Sequence, residues 1–214
     1  MAELTAPRRR RGRPRLDQPS PEYLAKLEEI IDAAVRAFGH RGYDSATLED
    51  IATAIDFRRA SLYHYVPSKA HLLYLIHDRA ISGAIRQLEE SRGIGDPRRR
   101  LVAFVRNQVM EVAQKPGMVK VLFDDRGALD ERYEADIVEK ERHFLKEIVA
   151  LVAEAVDAGV IPPVDPWYGA QVLLGATTWH YKWFDPDRHD PDEVVESCLA
   201  LLGGMADTPT RRRR

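Results

Sequence analysis

Apolar residues recur at helical spacing along most of this chain, and no segment shows the strict alternation of apolar and polar residues that is typical of a β-strand. The clearest apolar stripes run over residues 24–38 and 133–155, and glycines follow each of them at Gly39, Gly42 and Gly159. Such stripes give a helix one face that packs into a core. The pattern predicts an all-α protein with about nine helices.

Helix starts are marked by Ser, Thr or Asp, whose side chains accept hydrogen bonds from the free N–H groups of a first helical turn. Several of these residues precede a proline, which fits the first helical position. Pro116–Gly117 predicts a break between two helices in the second half of the chain. The predicted N-caps are Ser20, Thr47, Ser68, Asp96, Asp130, Asp165 and Asp190.

Residues 47–69 predict two short helices, a sharp connection and the start of a third helix, which is the pattern of a helix-turn-helix. In the second short helix Leu62 and Val66 lie four residues apart and point into a small core, which turns Ala60 and His64 outward. A recognition helix presents its N-terminal residues to base edges and phosphates. The predicted DNA-facing residues are Arg58, Arg59, Ala60, Ser61, Tyr63 and His64.

At these positions the chain resembles the TetR family of transcriptional repressors. The resemblance implies a DNA-binding domain with a long first helix, this helix-turn-helix and a fourth helix, followed by a domain that binds a ligand and dimerises. Where the family usually has a small turn with a capping Ser, this chain has Arg58, and Asp56 must supply a left-handed turn conformation. The matching segments are Ile30–Tyr43, Thr47, Asp50–Ala52, Leu62–Tyr65 and Pro67–Lys69.

The resemblance also implies contacts with the DNA backbone. Tyr43, Thr47, Tyr63, His64 and Lys69 occupy places where family members contact phosphate, and helix N-termini and lysine charges both favour phosphate. The alternative for Tyr43, Thr47 and Lys69 is a pair of cap positions and a surface charge.

The N-terminal segment is basic and has almost no apolar residues to bury. Its Arg11-Gly12-Arg13-Pro14 core resembles an AT-hook, so we expect Arg11 and Arg13 to lie in a minor groove or on phosphate. The alternative is a solvated basic tail. The predicted organisation is a flexible basic arm at 1–20, the helix-turn-helix domain at 21–67, a connecting helix at 68–91, a ligand-binding and dimerisation domain at 92–204 and a basic tail at 205–214.

The composition fits this view without proving it. The net charge of the 214 residues is only −2, but DNA binding requires a local basic patch and not a basic whole. One cysteine excludes an internal disulfide, and no apolar run is long enough to span a membrane. With no secretory signal, we expect a cytoplasmic protein that does not contact membranes.

The sequence gives little support for catalysis or metal binding. It has no Gly-x-Ser-x-Gly, His-Glu-x-x-His or Gly-rich phosphate loop, so we assign no catalytic residue and no cofactor. His64, His71 and His77 are six or seven residues apart with no Cys or carboxylate in ligand spacing. We therefore predict no metal site.

The stretch from Trp179 to Phe184, followed by Asp-Pro, also looks like a TetR subgroup associated with fatty-acid and steroid catabolism, whose effectors are acyl-CoA thioesters. That resemblance implies an apolar tunnel with a few polar groups for the nucleotide. Each candidate for its lining has an alternative role as ordinary core. These candidates for the effector pocket are Met110, Met118, Phe123, Phe144 and Trp179.

In this family the last two long helices form a four-helix bundle with the same helices of a second subunit, and residues 165–184 and 190–202 occupy those places. We expect Cys198 to be a small apolar residue of this bundle, with a redox sensor as the alternative. The predicted interface residues are Trp183, Val194, Val195, Cys198, Leu201 and Leu202.

These features favour a homodimeric repressor that binds a palindromic operator and releases it when a small hydrophobic effector, such as an acyl-CoA thioester, enters the second domain. The helix at 68–91 belongs to both domains and is the expected lever. Two other classes stay open: an architectural DNA-binding protein without an effector, and a helical enzyme that uses the C-terminal cavity.

Overall fold

A computed structural model describes residues 20–202 of the chain. Over this range the chain forms nine α-helices and two 3-10 segments and has no β-strand, which confirms the predicted all-α class. Arg11 and Arg13 of the basic arm, like the tail at 205–214, lie outside the described residues. No helix among residues 20–202 is long and apolar enough to cross a membrane.

The helices of the first half are α1 (Pro21–Arg41), α2 (Leu48–Ala54), α3 (Arg59–Leu62), α4 (Lys69–Ser91) and α5 (Pro97–Gln114). Those of the second half are α6 (Pro116–Asp124), α7 (Glu131–Asp157), α8 (Pro166–Thr178) and α9 (Pro191–Leu201). The 3-10 segments are Arg126–Ala128 and Trp179–Lys182.

The predicted helix starts are correct. Each capping side chain accepts a backbone N–H of the first turn, as Ser20 Oγ does from Tyr23 N at 3.2 Å. The break at Pro116 is also confirmed, because α5 ends at Gln114 and α6 starts at Pro116. The residues that cap in this way are Ser20, Thr47, Ser68, Asp96, Asp130, Asp165 and Asp190.

Two apolar cores divide the molecule. The first lies among α1, α2, α3 and the N-terminal half of α4, and Met118, Val121 and Ile137 from α6 and α7 complete it. The second is built from α5, most of α7, α8 and α9, with Leu88 from the end of α4. The first core therefore extends across the boundary predicted at residue 92, and α4 belongs to both cores.

The segment predicted as one helix from Asp165 to Phe184 changes character near its end. The α-helix stops at Thr178 and continues as the 3-10 segment Trp179–Lys182. Thr177 and Thr178 donate their hydroxyls to the carbonyls of Leu173 and Leu174, at 2.8 and 2.6 Å. Such bonds compete with the helical ladder and often bend or end a helix, which explains the change.

Candidate DNA-binding surface and ligand cavity

The recognition helix α3 is a single turn, and buried side chains anchor it to the first core. Asp56 has φ +52°, as the turn requires, and Arg58 at the N-cap of α3 makes no capping hydrogen bond. Leu62 and Val66 are fully buried in the first core, as their spacing predicts. Because α3 is short and uncapped by a side chain, its position depends on these buried anchors and on neighbouring aromatic residues.

Those aromatic residues were not predicted from the sequence. The ring of Tyr65 stacks on Tyr23 of α1 with centroids 4.7 Å apart and lies 5.9 Å from Phe57, over which the ammonium of Lys26 sits at 5.2 Å. This cluster joins α1 to both ends of α3. No local spacing links Tyr23 to residues 57–65, so only the tertiary structure reveals it.

The outward face of α3 presents the predicted side chains to solvent. Arg58, Ala60, Tyr63 and His64 are exposed and Ser61 is half-buried. Arg59 is exposed as well, and its Nη2 donates to the hydroxyl of Tyr63 at 3.2 Å. The arrangement places one cation beside a phenol, and both reach outward within one helical turn.

Lys69 has a different environment from the expected one. Its Nζ donates to the carbonyl oxygens of Tyr43, Asp44 and Ala46 at 2.8, 3.1 and 3.2 Å, and it lies 4.4 Å from the centre of the Tyr43 ring. All three ammonium protons therefore have partners within the chain. Within the chain its charge holds the loop before α2, and the expectation that Lys69 also contacts phosphate stays a prediction.

Thr47 completes the same loop. Its Oγ1 accepts the N–H of Asp50 at 3.1 Å, and the carboxylate of Asp50 accepts the N–H of Thr47 at 2.9 Å. This reciprocal pair is a capping box. The Thr47 hydroxyl also donates to the Asp50 carboxylate at 2.7 Å, and this bond, followed by the bond from Thr47 N, holds the pKa of Asp50 below its ordinary value. Arg41 Nη1, which donates to the other carboxylate oxygen at 2.7 Å, acts in the same direction.

A cavity of about 1170 Å³ lies between the two cores, which is larger than the usual range for small-molecule sites. Helices α4, α5, α6, α7 and α8 contribute most of its wall. Four of the five predicted pocket residues line it. These four are Met118, Phe123, Phe144 and Trp179.

Met110 is the exception and does not line the cavity. The residues of α5 that face the cavity are Gln108, Glu111 and Val112. Since Met110 is about 200° around the helix from Gln108, it faces elsewhere. The sequence could place a methionine on α5 but could not show which side of α5 meets the cavity.

The wall of the cavity contains one buried imidazole, that of His77 on α4. Burial lowers its pKa to about 4, and the nearby Arg126 acts in the same direction, against the opposing effect of Glu141. Arg126 donates to both carboxylate oxygens of Glu141, at 3.1 and 3.2 Å. His77 is therefore neutral at neutral pH.

Charged side chains also line the cavity. Arg79 Nη1 donates to Glu28 and Asp32 of α1 at 2.9 and 2.7 Å, which ties α4 to α1. Arg86 lines the cavity and is exposed. It makes no ion pair with any described residue, so it is the cation best able to meet an anionic group.

Helix α6 connects the cavity to the DNA-binding part. Met118 lines the cavity and also belongs to the first core. Gly39 of α1 lies so close to Gly117 that a Cβ atom on Gly39 would stand 3.3 Å from Gly117 Cα. Lys120 Nζ donates to the carbonyl of Gly39 at 2.9 Å. A displacement of α6 would therefore act directly on α1.

The predicted interface residues on α9 divide into two sets. Val195 and Cys198 are buried within the chain's own second core, at 1% and 7% exposure, so the prediction that they face a partner is wrong. Cys198 Sγ contacts the carbonyl of Ala176 at 3.5 Å, and burial raises the pKa of the thiol, which disfavours a redox sensor. Val194 and Leu202 are partly buried against the same core.

Leu201 is 87% exposed and Trp183 is about half exposed. Tyr168 and Val172 lie one helical turn apart on α8, Trp179 follows in the 3-10 segment Trp179–Lys182, and all three are more than 60% exposed. We call these five residues the α8–α9 apolar patch. Apolar surface of this kind often marks a contact with another protein.

Fold, recognition turn and cavity together define an all-α regulator with a helix-turn-helix. A family described as "Bacterial regulatory proteins, tetR family" matches residues 30–74, and one described as "Tetracyclin repressor-like, C-terminal domain" matches residues 95–206, which is more than half of the chain. The chain belongs to the TetR family of transcriptional regulators.

Individual relatives agree with this assignment. The biofilm operon icaADBC negative transcriptional regulator IcaR of Staphylococcus aureus (strain Newman) is 45% identical over 42 residues, which are 20% of this chain and 23% of that protein. The chain thus matches less than a quarter of this curated relative's length.

Solved structures extend the similarity to most of the chain. AibR in complex with isovaleryl coenzyme A and operator DNA has a TM-score of 0.74 at 28% identity, over 83% of this chain and 97% of that one. The ketosteroid regulator KstR2 of Mycobacterium tuberculosis has a TM-score of 0.73 over 83% and 92%, and at 18% identity it shows the fold alone.

Proposed function

We propose that this protein is a dimeric repressor that binds a palindromic operator and releases it when an acyl-CoA thioester occupies the cavity. The observation that carries the proposal is the cavity of about 1170 Å³, in direct contact with α4 and α6, both of which also build the DNA-binding core. A purely architectural DNA-binding protein has no need of such a space. We expect no catalytic activity.

The cavity has the composition that a thioester requires. Met118, Leu122 and Phe144 are apolar and suit an acyl chain, and the exposed Arg86 suits a phosphate group of the nucleotide. AibR, solved with isovaleryl coenzyme A and operator DNA, is similar over most of its length. That similarity supports the same effector class for this chain.

The mechanism is a shift between two conformations. Two recognition helices of a dimer fit successive major grooves when they stand about 34–36 Å apart. An effector releases DNA only if it binds better to the conformation with the wrong separation. Filling the cavity would press on α6 and α4, and the contact between Gly117 and Gly39 would pass the movement to α1.

We place the dimer contact on the α8–α9 apolar patch. Direct base contacts are assigned to Arg58, Arg59, Ala60 and Ser61, and backbone contacts to Tyr63, His64 and the loop around Tyr43 and Thr47. Arg11 and Arg13 remain candidates for the minor groove.

The proposal is tested with DNA sites selected from a random library by the purified protein. Isovaleryl-CoA should lower affinity for the selected site at least about tenfold, whereas coenzyme A without an acyl group should have little effect. Longer acyl chains establish the preferred length. If no acyl-CoA of any length changes DNA affinity, the protein acts without this effector class and an architectural role becomes the better hypothesis.

A further inference from the structure

We propose that His77 is the polar anchor of the cavity, and that its Nε2–H donates a hydrogen bond to an uncharged carbonyl oxygen of the effector. This inference rests on the proposed function, because it requires that the cavity bind an effector. It adds the chemical group that the effector must carry and the atom that recognises it.

The first observation is a buried nitrogen without a partner. His77 is 3% exposed, and its Nε2 makes no hydrogen bond within the described chain. Such groups are rare in folded proteins, because loss of water without a replacement bond is unfavourable. Among the described residues, the buried side-chain nitrogens in this condition are His71 Nδ1, His77 Nε2, Arg100 Nε and His180 Nδ1.

Of these four residues, only His77 belongs to the cavity wall. Nε2 itself is fully covered in this structure, so a ligand in the cavity supplies the missing partner once the imidazole turns Nε2 toward the cavity. His71, Arg100 and His180 are not part of that wall and have no access to the ligand. The position of His77 on α4, one residue after Ile76 of the first core, would join the ligand directly to the DNA-binding half.

The second observation is the apolar and charge-balanced surroundings. Met118, Leu122 and Ile137 bring apolar side chains to the same cavity. Glu141 also lines it, but both of its carboxylate oxygens accept hydrogen bonds from Arg126. Neither of these charged groups needs His77 as a partner, so the imidazole is left to the ligand.

The third observation selects the ligand group. Burial and Arg126 lower the pKa of His77, so the imidazole is neutral and offers an N–H without a charge. A carboxylate would need a cation in this position, and burying an uncompensated charge is unfavourable. An uncharged carbonyl needs only a donor. Thioesters and ketones both carry that group, and the experiment separates these two sources.

The test compares the native protein with His77→Met and His77→Gln, which have side chains of equal length, although only Gln retains an N–H donor. Isovaleryl-CoA and its thioether analogue, in which CH2 replaces the carbonyl, are titrated by calorimetry. His77→Met should weaken isovaleryl-CoA binding about tenfold and thioether binding much less, and His77→Gln should retain most of the affinity. If Met at 77 unfolds the protein, His77→Leu replaces it.

A nucleotide-free pair separates this inference from the proposed effector class. Methyl nonyl ketone and undecane are titrated with the same three proteins, by displacement of a fluorescent apolar probe. If the ketone is preferred through His77 and isovaleryl-CoA does not bind, the inference holds and the thioester effector is wrong. If isovaleryl-CoA binds but carbonyl and methylene ligands respond equally to His77→Met, the effector class stands and the inference is overturned. Absence of binding by all four ligands rejects both.

Discussion

The loop before α2 and the cavity between the cores differ in whether their polar side chains have hydrogen-bond partners within the chain. In the loop, the Lys69 ammonium, the Thr47 hydroxyl and the Asp50 carboxylate all have partners within the chain. In the cavity, the buried Nε2 of His77 has none. The difference teaches that the loop we expect to face DNA is held in place by the chain itself, whereas the cavity contains the position that we propose a ligand completes.

The largest effect is expected from a substitution in the α8–α9 apolar patch, which belongs to neither of these two regions. Leu201→Glu should abolish dimerisation and lower operator affinity at least about a hundredfold, because one subunit contacts only one half-site. Stability of the subunit should hardly change, since Leu201 is 87% exposed. Analytical ultracentrifugation and operator titration measure both.

Leu24→Glu is the matched control, because Leu24 is another exposed leucine but lies on α1, away from α8 and α9. It should leave the dimer intact. A Leu201→Glu protein that remains dimeric at low micromolar concentration would place the interface elsewhere.

The second test concerns the fixed loop. Lys69→Met should lower the free energy of unfolding by about 2 kcal/mol, because three carbonyl oxygens lose a charged donor. It should leave the slope of log affinity against log salt unchanged if Lys69 makes no phosphate contact. Chemical denaturation and salt-dependent titrations give the two quantities.

Arg58→Ala provides the contrasting result. Arg58 is exposed and caps α3 without a side-chain bond, so its removal should leave stability unchanged. If it lies on phosphate the salt slope should decrease by about 0.9, and if it reads bases the preferred sequence should change. A lower slope for Lys69→Met at unchanged stability would show that Lys69 contacts phosphate.

The sequence predicted the local features of both regions and missed the non-local ones. Caps such as Thr47 and Asp165 could be predicted because they bind N–H groups only two or three residues away. The burial of Leu62 and Val66 could be predicted because they lie one helical turn apart. The role of Lys69 depends on carbonyls 23 to 26 residues away. No periodicity contains that information.

The cavity shows the same division. The sequence could suggest that apolar residues of α6 and α7 line the cavity. The structure was needed to show that α5 turns Met110 away from the cavity, and that the packing of α4 brings His77 into its wall. Val195 and Cys198 were misassigned because an apolar stripe on α9 serves equally well for the subunit's own core and for a partner. Burial in the folded chain was needed to tell these two uses apart.

The third test uses pH to examine the unpaired imidazole. The pKa of His77 is about 4 in the folded protein, against 6.5 for the unperturbed group, so the unfolded chain takes up the proton first as the pH falls. The stability that neutral His77 confers is complete above pH 6.5 and is lost as the pH falls toward 4. From pH 7 to 5, native protein should lose about 2 kcal/mol relative to His77→Met.

Urea denaturation at several pH values measures this difference. His64→Gln is the control, because the side chain of His64 is exposed to solvent and its removal should not reproduce the effect. Parallel pH profiles for native protein and His77→Met would mean that water or protein groups solvate His77 in solution, and the contrast between the two regions would then be lost.

The smallest expected effect lies where the two regions meet, at the crossing of α1 and α6. Gly39→Val should lower the free energy of unfolding by about 1–2 kcal/mol, because its Cβ would stand 3.3 Å from the backbone of Gly117 and its methyl groups need further space. Gly117→Ala is the control, since its Cβ would meet Val35 Cγ1 at an ordinary 3.7 Å.

If this crossing transmits the effector signal, Gly39→Val should also change how far isovaleryl-CoA weakens DNA binding, measured as the ratio of affinities with and without effector. An unchanged ratio at reduced stability would make the crossing a packing contact only and would leave α4 as the connection between cavity and DNA.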